Sequence, residues 1–301
     1  MTQMKGCKRC TQKKAPKYFD SVKPQKLITE LNDGELLNDD YYGRSYDLLP
    51  SINTSIPSLS NQKNDNTFQI YELHKILNPN YKSLEHGFTR MSDGLWYMAT
   101  KTNLEHCTGE MVEWWFNHCD STERFKWWHP TSNVHGEFDP TFYAVQPEDR
   151  LVGHAIGHRF TCVKKMYSGG MCSGDIDEYD PGEDVLQHID YLHPAEFINT
   201  DELPAAGITA LVVGKLSYRD HHMGEITVGH VCHVVREVMG SVSLVTRMWL
   251  GHIDKTDLNF PSPRFVNFVG NTLLYRYMKF TYSFIKNIWI QMVQESNCLA
   301  A

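Results

Sequence analysis

Two runs of residues, Thr227–Val238 and Val242–Gly251, constrain the fold of this chain more than any other stretch. Both are dense in Val, Leu, Thr and Met, and only three residues part them, Met239-Gly240-Ser241. β-Branched side chains suit a pleated surface, and so short a connection makes an antiparallel hairpin the natural solution. With Met239-Gly240 as the turn, Val238 opposes Ser241, His233 opposes Thr246 and Val231 opposes Met248. One face then carries Val231, His233, Val235, Leu244, Thr246 and Met248; the other carries Cys232, Val234, Arg236, Val245, Arg247 and Trp249. A His among Val, Leu and Met is more often a satisfied core residue than a catalyst.

Other elements follow from pattern. Ile208–Tyr218 reads as a third strand, and GLWYMATKTNL, residues 94–104, as a fourth. Leu151–Lys164 reads as a fifth, with His154, Ile156, His158 and Phe160 on one face by period two. Thr108 is placed to cap a helix running to Asn117, with Glu110 and Glu113 in its first turns. Short helices are predicted at Lys26–Leu37 and Thr67–Leu77, and loops at 51–66 and in the Gly-rich acidic stretch 167–184. From Pro263 to Gln294 apolar residues recur at three- and four-residue steps (Val266, Val269, Leu273, Tyr277, Phe280, Phe284, Ile288), which predicts one long helix. On it Tyr275 and Lys279 are neighbours, four residues apart, and on pattern alone a solvent-facing pair. A strand-rich middle followed by a long helix predicts an α+β fold: a curved antiparallel sheet that encloses an apolar cavity with the helix. Residues 1–86 read as a small N-terminal arm or helical subdomain and 87–301 as the main domain.

The segment Met111–Asp139 holds four of the seven Trp, in two adjacent pairs. Indole area is costly in water, so the stretch is expected to line a core or pocket. A net charge of -7 argues against nucleic-acid and anionic-membrane partners. The apolar run FTYSFIKNIWIQMV is too short to span a bilayer and contains Lys286. The first residues are polar and basic, with no secretory signal, and the eight Cys lack a disulfide spacing, which together predict a cytoplasmic chain with free thiols. Cys7 and Cys10 form a CxxC without a second pair and read as ordinary cysteines of a tail.

The text EWWF…ERFKWWHP, then CHVVREVMGS…TRMWLG, then KFT in the last helix resembles the diacetylphloroglucinol and phloretin hydrolase family from about Gly87 onward. The resemblance implies a helix-grip domain like that of plant lipid-binding allergens behind a small N-terminal subdomain, and a homodimer. It also implies cleavage of a bond between an aromatic ring and an acyl carbon at a zinc held by two His and two Glu. Carried over position by position, those ligands fall on Asn133, on or beside Phe160, and on Tyr275 and Lys279, none of which suits zinc. The family's pocket His falls on His233, a pocket Tyr on Met248, and a substrate-contacting aromatic on Phe125.

That pattern is similar to a fungal biosynthetic branch of the family, the hetero-Diels–Alderases of tropolone–sesquiterpenoid pathways. It implies a metal-free pericyclase that dehydrates a hydroxymethyl-tropolone to an ortho-quinone methide and joins it to a humulene-type terpene. Lys279 and Tyr275 would bind tropolone oxygens, His233 would shuttle a proton and Asn133 would orient an oxygen. Phe125, Trp115, Phe160, Met248, His158 and Thr246 would complete the substrate pocket. No cofactor is expected in this reading. The alternative is a zinc-dependent C–C hydrolase of acylated phloroglucinol or phloretin-type ketones, with a metal relocated to some of His129, His135, His154 and His158. A third class is a non-catalytic binder of a small apolar metabolite.

Overall fold

The computed structural model describes residues 66–300 apart from 79, 106, 130–131, 167–182, 221–223 and 255–262. All of these lie in one compact unit, Tyr41–Ala301. The expected helix at Lys26–Leu37, nearly all of the 51–66 loop, Cys7 and Cys10, and most of the 167–184 stretch fall outside the described residues. The five described cysteines (Cys107, Cys119, Cys162, Cys232 and Cys298) are free. No helix among the described residues is long and apolar enough to cross a membrane.

One eight-stranded antiparallel sheet organises the molecule. Its strands are β1 Gly87–Arg90, β2 Trp96–Asn103, β3 Asn133–Phe138, β4 Arg159–Met166, β5 Glu183–Leu192, β6 Ile208–Asp220, β7 Gly224–Val238 and β8 Ser241–Asp254. They lie in the order β1-β2-β8-β7-β6-β5-β4-β3. The central hairpin has the predicted register, with Val238 opposite Ser241, His233 opposite Thr246 and Val231 opposite Met248. Met239 and Gly240 both take positive φ, 52° and 78°, as a two-residue hairpin turn requires. Irregular register between Asn133 and His135, Leu216 and Ser217, and Thr227 and Gly229 marks bulges, which bend their strands and curve the sheet.

Both faces of the sheet are covered. On the outer face Phe68, Leu73 and Ile76, the latter two in a 3-10 helix Ile70–Leu77, pack with Tyr97, Cys232, Val234 and Trp249. Trp249 Nε1 donates to Phe68 O at 2.6 Å, and Arg247 Nε donates to the Tyr97 hydroxyl at 3.1 Å. The inner face meets helices α1 Gly109–His118, α2 Thr122–Trp128 and α5 Tyr282–Ala300. Ile285, Ile288, Trp289, Met292 and Val293 bury one stripe of α5 there, Trp289 Nε1 donates to Ala99 O at 2.9 Å, and the Ser296 and Thr100 hydroxyls are bonded at 3.0 Å. Thr108 caps α1 as expected, its hydroxyl accepting from Met111 N at 3.3 Å.

Three expectations change. The single long C-terminal helix is three helices: α3 Pro263–Gly270, α4 Leu273–Lys279 and α5. Thr272 and Thr281 act as caps, their hydroxyls accepting from Tyr275 N and Phe284 N, both at 3.3 Å. Asn271 adds a clamp, bonding both Ile253 N and Ile253 O. Such hydroxyl and amide side chains compete with the helix ladder, and within an amphipathic pattern they read only as its polar face. Next, Leu151–His158 is not strand. Gly153 and Gly157 have φ of 79° and 84° and turn the chain, so β4 starts at Arg159 and His154, Ile156 and His158 do not share its pleat. Finally, the Trp pairs are divided rather than jointly buried. Neighbours on a helix point about 100° apart, so Trp115 and Trp128 turn inward while Trp114 and Trp127 remain 54% and 48% exposed.

Candidate functional site

The inner face of a covered sheet is expected to be apolar, so the polar groups on it need a reason. Along β4 the inward positions are Phe160, Cys162 and Lys164. Lys164 Nζ meets Glu295 Oε1 of α5 at 2.6 Å, with the two side chains only 11% and 13% exposed. The ammonium also lies over the rings of Phe125 and Trp128, at 5.7 and 5.8 Å. Burial is the strongest single influence and lowers its pKa; the opposing influences, led by the Glu295 carboxylate, together hold it above the ordinary lysine value. The lysine is therefore a fixed cation.

Asn133 is the cross-strand partner of Lys164. Its Nδ2 donates to Phe125 O at 2.8 Å, whereas its Oδ1 is buried with no partner among the described residues. The turn before it is stitched to α5. Gln291 Nε2 donates to Ser132 Oγ. His129 Nδ1 accepts from Ser132 N at 3.1 Å, which leaves the ring proton on Nε2 to donate to Gln294 Oε1 at 3.0 Å. Gln291 and Glu295, four apart, share a face of α5.

His233 stands on β7 between the rings of Phe116 and Trp128, at 4.8 and 6.0 Å, and Nδ1 is bonded to Thr246 Oγ1 at 2.9 Å. Burial, and then the Lys164 cation, depress its pKa to about 3. It is a neutral hydrogen-bonding group at ordinary pH and a poor proton carrier. Burial raises the Tyr218 hydroxyl and pushes the Cys162 thiol up to about 12, so both stay protonated. The indole N–H groups of Trp115 and Trp128 are buried with no acceptor among the described residues.

The structure thus brings together Asn133, Phe125, Phe160, Trp115, His233, Thr246 and Met248 from the expected set, all packed into or against the inner core. Phe125 and Phe160 are 5.1 Å apart, edge to face. Tyr275 is half-buried against the same core from α4. Lys279 is exposed at the last residue of α4, as the pattern alone suggested, and is not drawn inward. His158 joins a different group, with Nδ1 3.2 Å from Asp139 Oδ2 and its ring against Phe142. Lys164, Gln291, Glu295, Trp128 and Tyr218 were not anticipated. Inward alternation from Phe160 points to Lys164, and the i, i+4 pair Gln291 and Glu295 has the spacing that Tyr275 and Lys279 share.

Zinc wants imidazole or anionic donors. Asn133, Gln291, Glu295 and Lys164 offer two carboxamides, one carboxylate and an ammonium that carries the metal's own sign of charge, and these four do not fit the ion. Of the relocated set only His154 and His158 lie together, with ring centroids 5.3 Å apart. His129 bonds Gln294, His135 bonds Thr122 at 2.8 Å, His154 bonds Phe142 O at 3.0 Å and His158 bonds Asp139. Among the described residues no three His, Cys, Asp or Glu side chains stand together as a metal site. A groove of about 500 Å³ runs along α1, lined by Cys107, Met111, Trp114, Trp115 and Leu299, with the core residue Val112 in its floor.

Residues 68–262 match the family model described as DAPG hydrolase PhiG domain. Two 2,4-diacetylphloroglucinol hydrolases, one from a Pseudomonas species and one from Pseudomonas protegens, are each 27% identical over 187 residues. That stretch is 62% of this chain and 58% and 56% of theirs, so the chain spans less than two thirds of the length of either relative. A solved structure from Mycobacterium smegmatis covers 68% of this chain and 95% of its own at 11% identity, with a TM-score of 0.30 that is too low to bear on the fold.

Proposed function

The chain belongs to the DAPG hydrolase PhiG domain family, and from that membership we propose an enzyme whose inner face binds an oxygenated aromatic or tropone ring and transforms it without a resident metal. The observation that carries this reading is the charge inventory of the cluster. It holds one buried cation, Lys164, and one carboxylate, Glu295, among neutral amides, imidazoles and indoles. Such a set can hold oxygens and pass a proton over a short distance. It is not the donor set of a zinc centre. In this reading the sheet and α5 form a helix-grip arrangement, with the ring held between them.

The reaction we assign is a dehydrating hetero-Diels–Alder addition. A ring hydroxyl beside a hydroxymethyl group gives up its proton, the exocyclic C–O bond breaks and water departs, leaving an ortho-quinone methide. Its O=C–C=CH₂ unit then adds to an alkene, forming one C–O and one C–C bond with no proton moved. Shape and orientation dominate a step with so little charge development. Phe125, Phe160, Trp115 and Met248 supply walls, and the α1 groove offers room for the apolar alkene. Asn133 Oδ1 and the two indole N–H groups meet ring oxygens. His233 serves as a neutral partner, and the oxygen-binding role expected of Lys279 passes to Lys164, with Tyr275 alongside from α4.

A second reading has an observation of its own: both relatives are hydrolases of 2,4-diacetylphloroglucinol. In it the same cavity takes an acylated phloroglucinol, Lys164 polarises the ketone and water cleaves the ring–acyl bond. Purified protein, assayed for metal by mass spectrometry, is incubated with a hydroxymethyl-tropolone plus humulene and, separately, with diacetylphloroglucinol. Sub-stoichiometric zinc and one stereoisomer of the cycloadduct, indifferent to chelator, are expected. Stoichiometric zinc with chelator-sensitive deacylation would overturn the first reading in favour of a metallohydrolase.

A further inference from the structure

Two buried charges and two polar atoms without a partner among the described residues lie together on the inner face. Lys164 and Glu295 are the ion pair. The two atoms are the Trp128 indole N–H and Asn133 Oδ1. Trp128 is 6% exposed and its ring lies 5.8 Å from the ammonium; Asn133 is 2% exposed and sits directly across the ladder from Lys164. Leaving such groups without partners costs roughly 1–3 kcal/mol each. A donor and a cation on one side, with an amide oxygen on the other, match a ligand that presents one electron-rich oxygen and one hydroxyl on adjacent carbons.

We propose that Lys164 and the Trp128 N–H bind the ligand's ring oxygen in its ionised form, and that Glu295 accepts the proton released. The ligand O–H bond breaks, a Glu295 carboxyl O–H forms, and Lys164 changes partner from carboxylate to ligand oxyanion. Net charge in the cavity stays constant, so nothing has to be exchanged with solvent. The other titratable groups facing the pair are uncharged: the Cys162 and Cys119 thiols and the Tyr218 hydroxyl are held protonated by burial, and His233 and His129 are held neutral by burial. Lys164 is thereby the cation that can meet an oxyanion, and Glu295 the base that can take its proton. The inference rests on the cavity reading above and specifies the protonation state in which that cavity holds its ring.

Tropolone tests it directly, because the neutral and ionised forms absorb differently, and its O-methyl ether cannot ionise. At a pH one unit below the probe's own pKa, tropolone bound to the protein is expected to show the spectrum of the anion. Lys164→Gln/Glu295→Gln, which removes both charges together and leaves no lone buried ion, is expected to return the bound spectrum to the neutral form. Its affinity for tropolone should fall about tenfold or more, the loss of a charge-assisted bond, while the methyl ether binds as before. Lys164→Arg should retain the anionic spectrum. A neutral spectrum on the unaltered protein, or an equal loss for both probes in the double variant, overturns the proposal and leaves the cavity reading standing. Binding of neither probe removes the cavity reading and the proposal together.

Discussion

The two faces of this sheet are both buried, yet they treat polar atoms differently. Around Phe68 on the outer face the polar side chains that enter the core are answered. Trp249 Nε1 bonds Phe68 O, Arg247 bonds Tyr97 and Ser83, and Arg236 bonds Ile76 O. On the inner face an amide oxygen and the Trp128 N–H have no partner among the described residues, beside an ion pair that has to be fixed across sheet and helix. Folding alone rewards the first arrangement and penalises the second. The outer face is a fastening; the inner face is where the ligand proposed above would supply the missing partners.

The largest expected change comes from converting the inner cluster. Asn133→His, Lys164→Glu and Gln291→His, with Glu295 kept, would give two imidazoles and two carboxylates at positions the structure brings together. Metal analysis is expected to rise from well under one zinc per chain to about one. A triple variant that folds and takes up no zinc would show that the four positions do not converge. Next in size are two stability changes. Trp249→Ala on the outer face is expected to cost about 3–5 kcal/mol in urea unfolding; a cost below about 1 kcal/mol would break the idea of that face as a fastening. Lys164→Met strands a buried carboxylate and is expected to cost about 3–5 kcal/mol, most of it recovered in Lys164→Met/Glu295→Leu. Equal stability of single and double variants would show that the pair is not effectively buried.

A smaller effect is pH-dependent. The folded His233 is held near 3 by burial and Lys164, against about 6.5 in the unfolded chain. Between those values the unfolded state binds the extra proton, so stability rises with pH across the window and is lost as pH falls from about 6.5 toward 3. His233→Gln should flatten the stability–pH slope there by up to about 1.4 kcal/mol per pH unit. An unchanged slope would place the His233 ring in contact with water.

The hairpin was legible because its signal is local. Alternation over two adjacent runs and a two-residue turn fixed the partners of His233 and Val231 without reference to anything distant. β5 was not legible, since Gln187, His188 and Asp190 dilute its alternation. The breaks in the last helix depend on which hydroxyls turn back to cap, and Thr272 and Thr281 look like any other polar-face residues. The site itself is the least local feature of all. Lys164 and Glu295 are 131 residues apart, and only the packing of α5 over β4 makes them a pair. Family resemblance singled out Asn133 and His233, which strand text anchors; its two helix positions, Tyr275 and Lys279, lie on α4, whereas Gln291 and Glu295 lie on α5.

The divided Trp pairs have an optical consequence. Trp114 and Trp127 face water while Trp115 and Trp128 border the inner cluster, so the emission of the chain is a sum of red-shifted surface indoles and blue-shifted interior ones. A ring bound at the inner cluster as proposed above would change the emission of Trp128 first. The wavelength of maximum emission would then report its binding.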